Sequence, residues 1–162
     1  MSVRILDTVR RNHALEHATI ALMRRQMRPE SHISGRSTPW GFYIYGDIPT
    51  ELVEDSAREA LARLQLGELD LAISDLCGTN LAVGGILAGA SALLAVGRGR
   101  RLERLPQALL AAVGAALLAH PLGRWVQRNV TTRPQVGALK IVKIERRRRA
   151  PWTVHMVRTS AA

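Results

Sequence analysis

LAVGGILAGASALLAVG, residues 81–97, carries no charged side chain over 17 positions, and LPQALLAAVGAALLAHPL, residues 105–122, repeats the pattern with His120 its only ionisable group. About 17 residues is the shortest apolar stretch that crosses a bilayer core as a helix. Between the two runs lies RGRRLER, a basic link that permits only a tight antiparallel connection. The pair therefore reads as a two-helix transmembrane hairpin. Gly85 and Gly89 form a small-xxx-small pair, and Ala111, Ala115 and Ala119 offer a stripe to face it, as close helix approach in lipid requires.

Outward from this hairpin the sequence turns polar on both sides. Residues 3–28 contain no Gly or Pro and repeat their apolar positions at helical spacing, so one long helix ending at Pro29 is expected. HISGRSTPWGFYIYG predicts a β-hairpin whose second strand is Gly41–Tyr45. Thr50 is expected to cap a helix running to Leu66 and stopping at Gly67, followed by a short strand, LDLAIS. After the apolar runs, GALKIVKIE and WTVHMVRT predict two more strands, joined by the arginine run and Pro151.

Two crossings return the chain to its starting side, so the flanking parts can complete one domain. The predicted class is α+β: a small discontinuous helix and sheet domain, residues 1–79 and 131–162, with a membrane hairpin inserted at 80–130. At 162 residues the chain is too short for two independent cores.

The formal charge of +10 comes from 23 Lys and Arg against 13 Asp and Glu, which favours an anionic surface. The run Arg146–Arg149 suits lipid headgroups, and no aromatic-rich nucleic-acid motif accompanies it, so the expected partner is a bilayer with anionic headgroups and not a nucleic acid. A homo-oligomer or a second membrane protein is a further candidate partner. Arg98, Arg100, Arg101 and Arg104 in the link nearly balance Arg63, Arg124, Arg128, Arg133 and Lys140 on the flanks. The expected placement is a multi-pass protein of the plasma (inner) membrane with the polar domain cytoplasmic. One cysteine excludes an internal disulfide framework.

The chemistry-bearing segment is HALEHATI. His13 and His17 stand one helical turn apart on one face with Glu16 beside them, the His-x-x-Glu-His order in which two imidazoles hold zinc and a carboxylate polarises water. At 100° per residue Ile5, Val9, Ile20, Met23 and Met27 fall around the same direction, so the trio is expected in an apolar stripe. Ionisable groups in such a stripe need a partner, and a divalent cation is a good one; a Glu–His hydrogen-bonded core pair is the alternative. A catalytic zinc takes three protein ligands. Cys77, in LCGTN, is the first candidate for the third, with Glu68, Glu51 and Asp75 in reserve and Thr79 or Asn80 supporting. Arg36, Ser37 and Thr38 read as polar turn residues that could bind an anion, and His32, His120 and His155 as ordinary surface or interface residues.

HALEHATI followed at a distance by CGTN resembles a group of uncharacterised bacterial membrane proteins. It is similar, more remotely, to a family of predicted metal-dependent membrane enzymes sharing His-x-x-Glu-His and a later Cys-Gly-Thr. The nearer resemblance runs through GRST, GFYIYG, Gly67-Glu68 and CGTN, and implies that His13, Glu16, His17 and Cys77 belong to one site. In those relatives a His-Pro pair commonly precedes the cysteine, where this chain has Ser74 and Asp75. The resulting expectation is a membrane-anchored, zinc-dependent hydrolase, in particular a peptidase, with Glu16 as general base. The competing expectation is a non-catalytic scaffold or assembly protein with a structural metal site.

Overall fold

The computed structural model describes residues 2–28, 31–75, 77–97, 103–149 and 152–161. The chain forms two compact units, one of Met1–Ser74 with Thr131–Ala162 and one of Asp75–Val130.

In the first unit, α1 (Ser2–Gln26) needs no internal Gly or Pro, gains an Asp7–Arg11 ion pair of 3.0 Å one turn apart, and places Arg24 and Arg25 at its C-terminal dipole. It leads to β1 (Ser34–Thr38) and β2 (Gly41–Tyr45), joined by the two-residue turn Pro39-Trp40. Glycine is required after this turn: Gly41 has φ 135°, and a Cβ there would fall 1.9 Å from the Val157 carbonyl oxygen. α2 (Thr50–Gln65) ends as its sequence predicts, with Gly67 at φ 97° and the amides of Gly67 and Glu68 turned back to Leu64 and Arg63.

With β3 (Leu139–Arg149) and β4 (Trp152–Ala161) the unit completes a four-stranded antiparallel sheet in the order β1-β2-β4-β3. Phe42 and Ile44 of β2 and Val157 of β4 share one face, where they are fully buried with Leu15 and Ala18 of α1 and Val53, Ala57 and Ala60 of α2. A bulge at Val142, which is exposed, resets the register of β3 between Ile141 and Lys143.

Three expectations are corrected here. LDLAIS is no strand but a single 3-10 turn, Leu69–Ala72, because Leu71 and Ile73 turn their amides back to Glu68 and Asp70 and Ala72 is buried in the helix-side core. Thr50 does not cap α2: Pro49 occupies that position, and the Thr50 hydroxyl meets Nε2 of His155 at 3.1 Å instead. Of the apolar stripe expected on α1, Met23 is buried and Ile20 and Met27 pack against the core, but Ile5 is 47% exposed, and between Asn12 and Thr19 residues all around the helix are covered. Pro29 and Pro151 lie outside the described residues.

The second unit contains α3 (Gly78–Val96) and α4 (Leu105–Val126), the latter continuing through Pro121 into a π-turn, Gln127–Thr131. Both helices are long and apolar enough to cross a membrane. No α3 side chain is buried, and Leu81, Leu93, Leu94, Leu110, Leu117 and Leu118 are each more than 70% exposed. The helices of a water-soluble core bury such side chains; these leave them outward.

Their contact differs from the expected one. Gly84, not Gly85 or Gly89, meets Ala119, at 3.6 Å from an added Cβ, and both of the others face open space. One turn nearer the start of α3, Gly123 admits Asn80, whose Oδ1 accepts from Gln127 Nε2 at 2.7 Å. Of the RGRRLER link, Arg98–Leu102 lie outside the described residues.

Candidate metal centre

α1 carries the centre. His13 and His17 sit on successive turns with ring centroids 4.3 Å apart and planes at 63°. His13 Nδ1 lies 2.9 Å from the Thr131 carbonyl oxygen, and His17 Nδ1 lies 2.8 Å from that of Ala72. A carbonyl oxygen only accepts, so each Nδ1 carries the proton and donates. Each ring is thereby set in the tautomer whose Nε2 holds the lone pair a metal takes, and a backbone carbonyl fixes its orientation.

The two carbonyls are held by the surrounding fold. Ala72 ends the 3-10 turn that replaced the expected strand, so this departure from the sequence reading supplies the partner of His17. Thr131 opens the segment that returns to the sheet. That segment is tied to α1 by the Arg133 amide on the Arg10 carbonyl at 3.0 Å, by Arg10 on Thr132 at 3.3 Å and by Arg11 on Val136 at 3.4 Å. Asn12 bonds the Thr38 carbonyl at 2.8 Å and receives the Thr159 hydroxyl at 2.7 Å, which sets α1 on the sheet one residue before His13.

Glu16 is buried, at 5% exposure, and Ser37 donates its hydroxyl to Oε2. Gly35 and Ser37 point to this face of β1, and a Cβ on Gly35 would fall 2.3 Å from Glu16 Oε1. The GRST segment is therefore not a turn: Gly35 makes room for the carboxylate and Ser37 bonds it. Arg36, between them, projects to the opposite face of the sheet. Spacing of small residues two apart on a strand was the available signal for this cradle.

Cys77 is the N-cap of α3, and its Sγ accepts the Thr79 amide at 3.4 Å. Asn80, besides its bond with Gln127, donates to the Asp75 carbonyl at 3.0 Å. The Asp75 carboxylate meets Arg124 at 2.7 Å and His120 at 3.4 Å. Glu68 pairs with Arg63 at 3.5 Å, and Glu51 lies in the first turn of α2. His13 and His17 on α1, and Cys77 at the start of α3, are each of a residue type that could offer a ligand atom to a metal ion.

His155 is not at the surface. It is fully buried on β4 between Ile44 and Arg146, and burial, with a smaller contribution from Arg146, pushes its pKa down while Glu51 pulls the other way. On the outer face of β3, Lys143 and Arg147 each lie 3.0 Å from the Glu145 carboxylate and hold its pKa below the ordinary value.

Residues 8–144 match the family of the domain of unknown function DUF6391. The chain is also 34% identical, over 143 residues, to an uncharacterised protein of Picosynechococcus sp., covering 80% of this chain and 68% of that one. No solved structure matches it.

Proposed function

We propose that this chain, which belongs to the DUF6391 family, is a membrane-anchored, metal-dependent hydrolase acting on acyl or peptide bonds. The observation that carries the reading is the pair of Nδ1–H bonds from His13 and His17 to backbone carbonyls, which presets both Nε2 atoms as ligands. Cys77 follows Ala72, the partner of His17, by five positions and supplies the thiolate. Zinc suits this set, and when bound it would polarise a carbonyl and acidify a water.

Glu16 is the general base of this scheme, its carboxylate oriented by Ser37 and confined by Gly35. α3 and α4 anchor the protein in the plasma membrane as a multi-pass hairpin, with the polar unit on the cytoplasmic side. Anionic lipid is the expected surroundings. One observation favours the second reading, a scaffold with a structural metal: Glu16, between Ser37 and Gly35, also acts as a strut joining α1 to β1.

The test compares the purified full chain with a His13→Ala/His17→Ala variant and with Glu16→Gln. Wild type and Glu16→Gln should retain about one zinc each and the double variant none. On a pool of quenched fluorogenic peptides, Glu16→Gln should lose at least about a hundredfold in turnover, the ordinary contribution of a general base. Equal zinc in all three proteins removes the centre. Full zinc in Glu16→Gln with no peptide turnover in wild type favours the scaffold.

A further inference from the structure

The sheet has a second face that the proposed chemistry does not use. α1 and α2 pack where Phe42, Ile44 and Val157 point, so the alternation of each strand sends its other residues to the opposite side. There β1 presents Arg36 opposite Tyr43, β2 presents Tyr43 and Tyr45, and β4 presents Val154, Met156 and Arg158. β3 adds Lys143, Glu145 and Arg147 against Arg158, Met156 and Val154.

The composition of this face is unusual for solvent exposure. Val154 and Met156 in its middle are 5% and 4% exposed, while Arg36, Lys143, Arg147 and Arg158 around them are exposed. Tyr43 and Tyr45, half-buried, have ring centroids 6.2 Å apart and planes at 35°. Among the described residues four cations therefore surround an aromatic and apolar centre, and the Glu145 carboxylate tempers two of them, bonded to Lys143 and Arg147.

We infer that this face, built by Arg36, Tyr43, Tyr45, Lys143, Arg147 and Arg158, takes up the anionic headgroups of phospholipids at a membrane surface. Charge complementarity selects an anionic partner. Tyrosine suits the boundary between headgroup and hydrocarbon, its ring apolar and its hydroxyl wet. A nucleic-acid strand instead needs open ring faces for its bases, and these two rings lie against each other half-buried. Connection along the chain also favours lipid: α3, apolar enough to cross a membrane, begins four positions after Ser74 ends this part of the unit. The inference rests on the membrane-anchored part of the proposed function and not on its metal, so the two can fail separately.

The test is intact-complex mass spectrometry of the full chain in a neutral detergent, titrated with dioleoyl phosphatidylglycerol or with dioleoyl phosphatidylcholine. Wild type should retain the anionic lipid over the zwitterionic one. Replacing Arg36, Lys143, Arg147 and Arg158 by Gln should weaken phosphatidylglycerol retention at least about tenfold, since each cation near anionic lipid is worth roughly fivefold. The matched removal of four exposed arginines elsewhere, Arg24, Arg25, Arg28 and Arg58, should change it less than about twofold. Glu145→Gln, which releases Lys143 and Arg147, should strengthen it, and this arm stands even where the quadruple variant fails to fold. Equal losses in the two quadruple variants, no lipid preference in wild type, or no gain from Glu145→Gln would overturn the inference. So would a single-stranded oligonucleotide held more tightly than phosphatidylglycerol and lost with the same four cations.

Discussion

Gly35→Ala tests the cradle around Glu16 by a change of one methyl group. An added Cβ would lie 2.3, 2.7 and 2.8 Å from Oε1, Cδ and Cγ of Glu16, all closer than nonbonded atoms tolerate. Glu16 cannot simply swing aside, because it is buried and holds the Ser37 hydroxyl. Forcing it out costs about 1–3 kcal/mol of overpacking, and losing the Ser37 bond to a buried carboxylate adds a contribution of about the same size. Against this stands a gain of about 0.4–1 kcal/mol, since alanine restricts the unfolded chain more than glycine does. The net expectation is a loss of about 3 kcal/mol, or on the order of 10 °C in Tm for a chain of this size. In a Glu16→Ala background the clash has no partner, so the same Gly35→Ala change should be neutral or slightly stabilising. Thermal unfolding of all four proteins of the cycle, followed by circular dichroism in a neutral detergent, reads both numbers. An equal loss in both backgrounds, or no loss in the first, would refute the cradle.

Other consequences are as direct. His155, whose pKa is depressed in the folded state, stabilises the fold at and above its ordinary titration near pH 6.5; that stability should drain away as pH falls below about 6.5 toward the folded value. Tm measured from pH 8 to pH 5 should therefore drop more steeply in wild type than in His155→Gln, and parallel curves would exclude the effect. Gly123→Val should destabilise the α3–α4 pair, because its Cβ would meet Asn80 Oδ1 at 2.4 Å, while Gly85→Val, which meets nothing within 4 Å, should be tolerated. The aggregation midpoint in detergent separates the two, and equal sensitivity would contradict the pairing. Gly41→Ala, a backbone clash at φ 135°, should cost about 3 kcal/mol or more, against about 1 kcal/mol for Gly67→Ala in open space, both read as Tm losses.

The sequence made some elements legible for identifiable reasons. Two uncharged runs read as helices long and apolar enough to cross a membrane, which is how they fold, and GFYIYG alternates so that Phe42 and Ile44 share the buried face of β2. HALEHATI places its histidines together by helical arithmetic alone. What stayed hidden depends on long-range partners. The carbonyls of Ala72 and Thr131 that orient His17 and His13 are 55 and 118 residues away along the chain, and backbone groups leave no mark in a residue pattern. LDLAIS alternates like a strand, yet its ends bond back on themselves and its Ala72 is drawn into the core. Gly84 and Gly123, rather than Gly85 and Gly89, form the close contact because rotation about a helix shifts by 100° per residue, and a motif does not fix which side meets the neighbour. His155 looked superficial because an isolated histidine carries no signal of the strand that buries it.

If two imidazoles and one thiolate hold the metal, X-ray absorption at the zinc edge of the zinc-loaded full chain resolves them. One sulfur is expected at about 2.3 Å and two nitrogens at about 2.0–2.1 Å, with a light fourth ligand. The sulfur should vanish in Cys77→Ser and the nitrogens in His13→Ala/His17→Ala. A spectrum of oxygen ligands alone, or one unchanged by either variant, would contradict it.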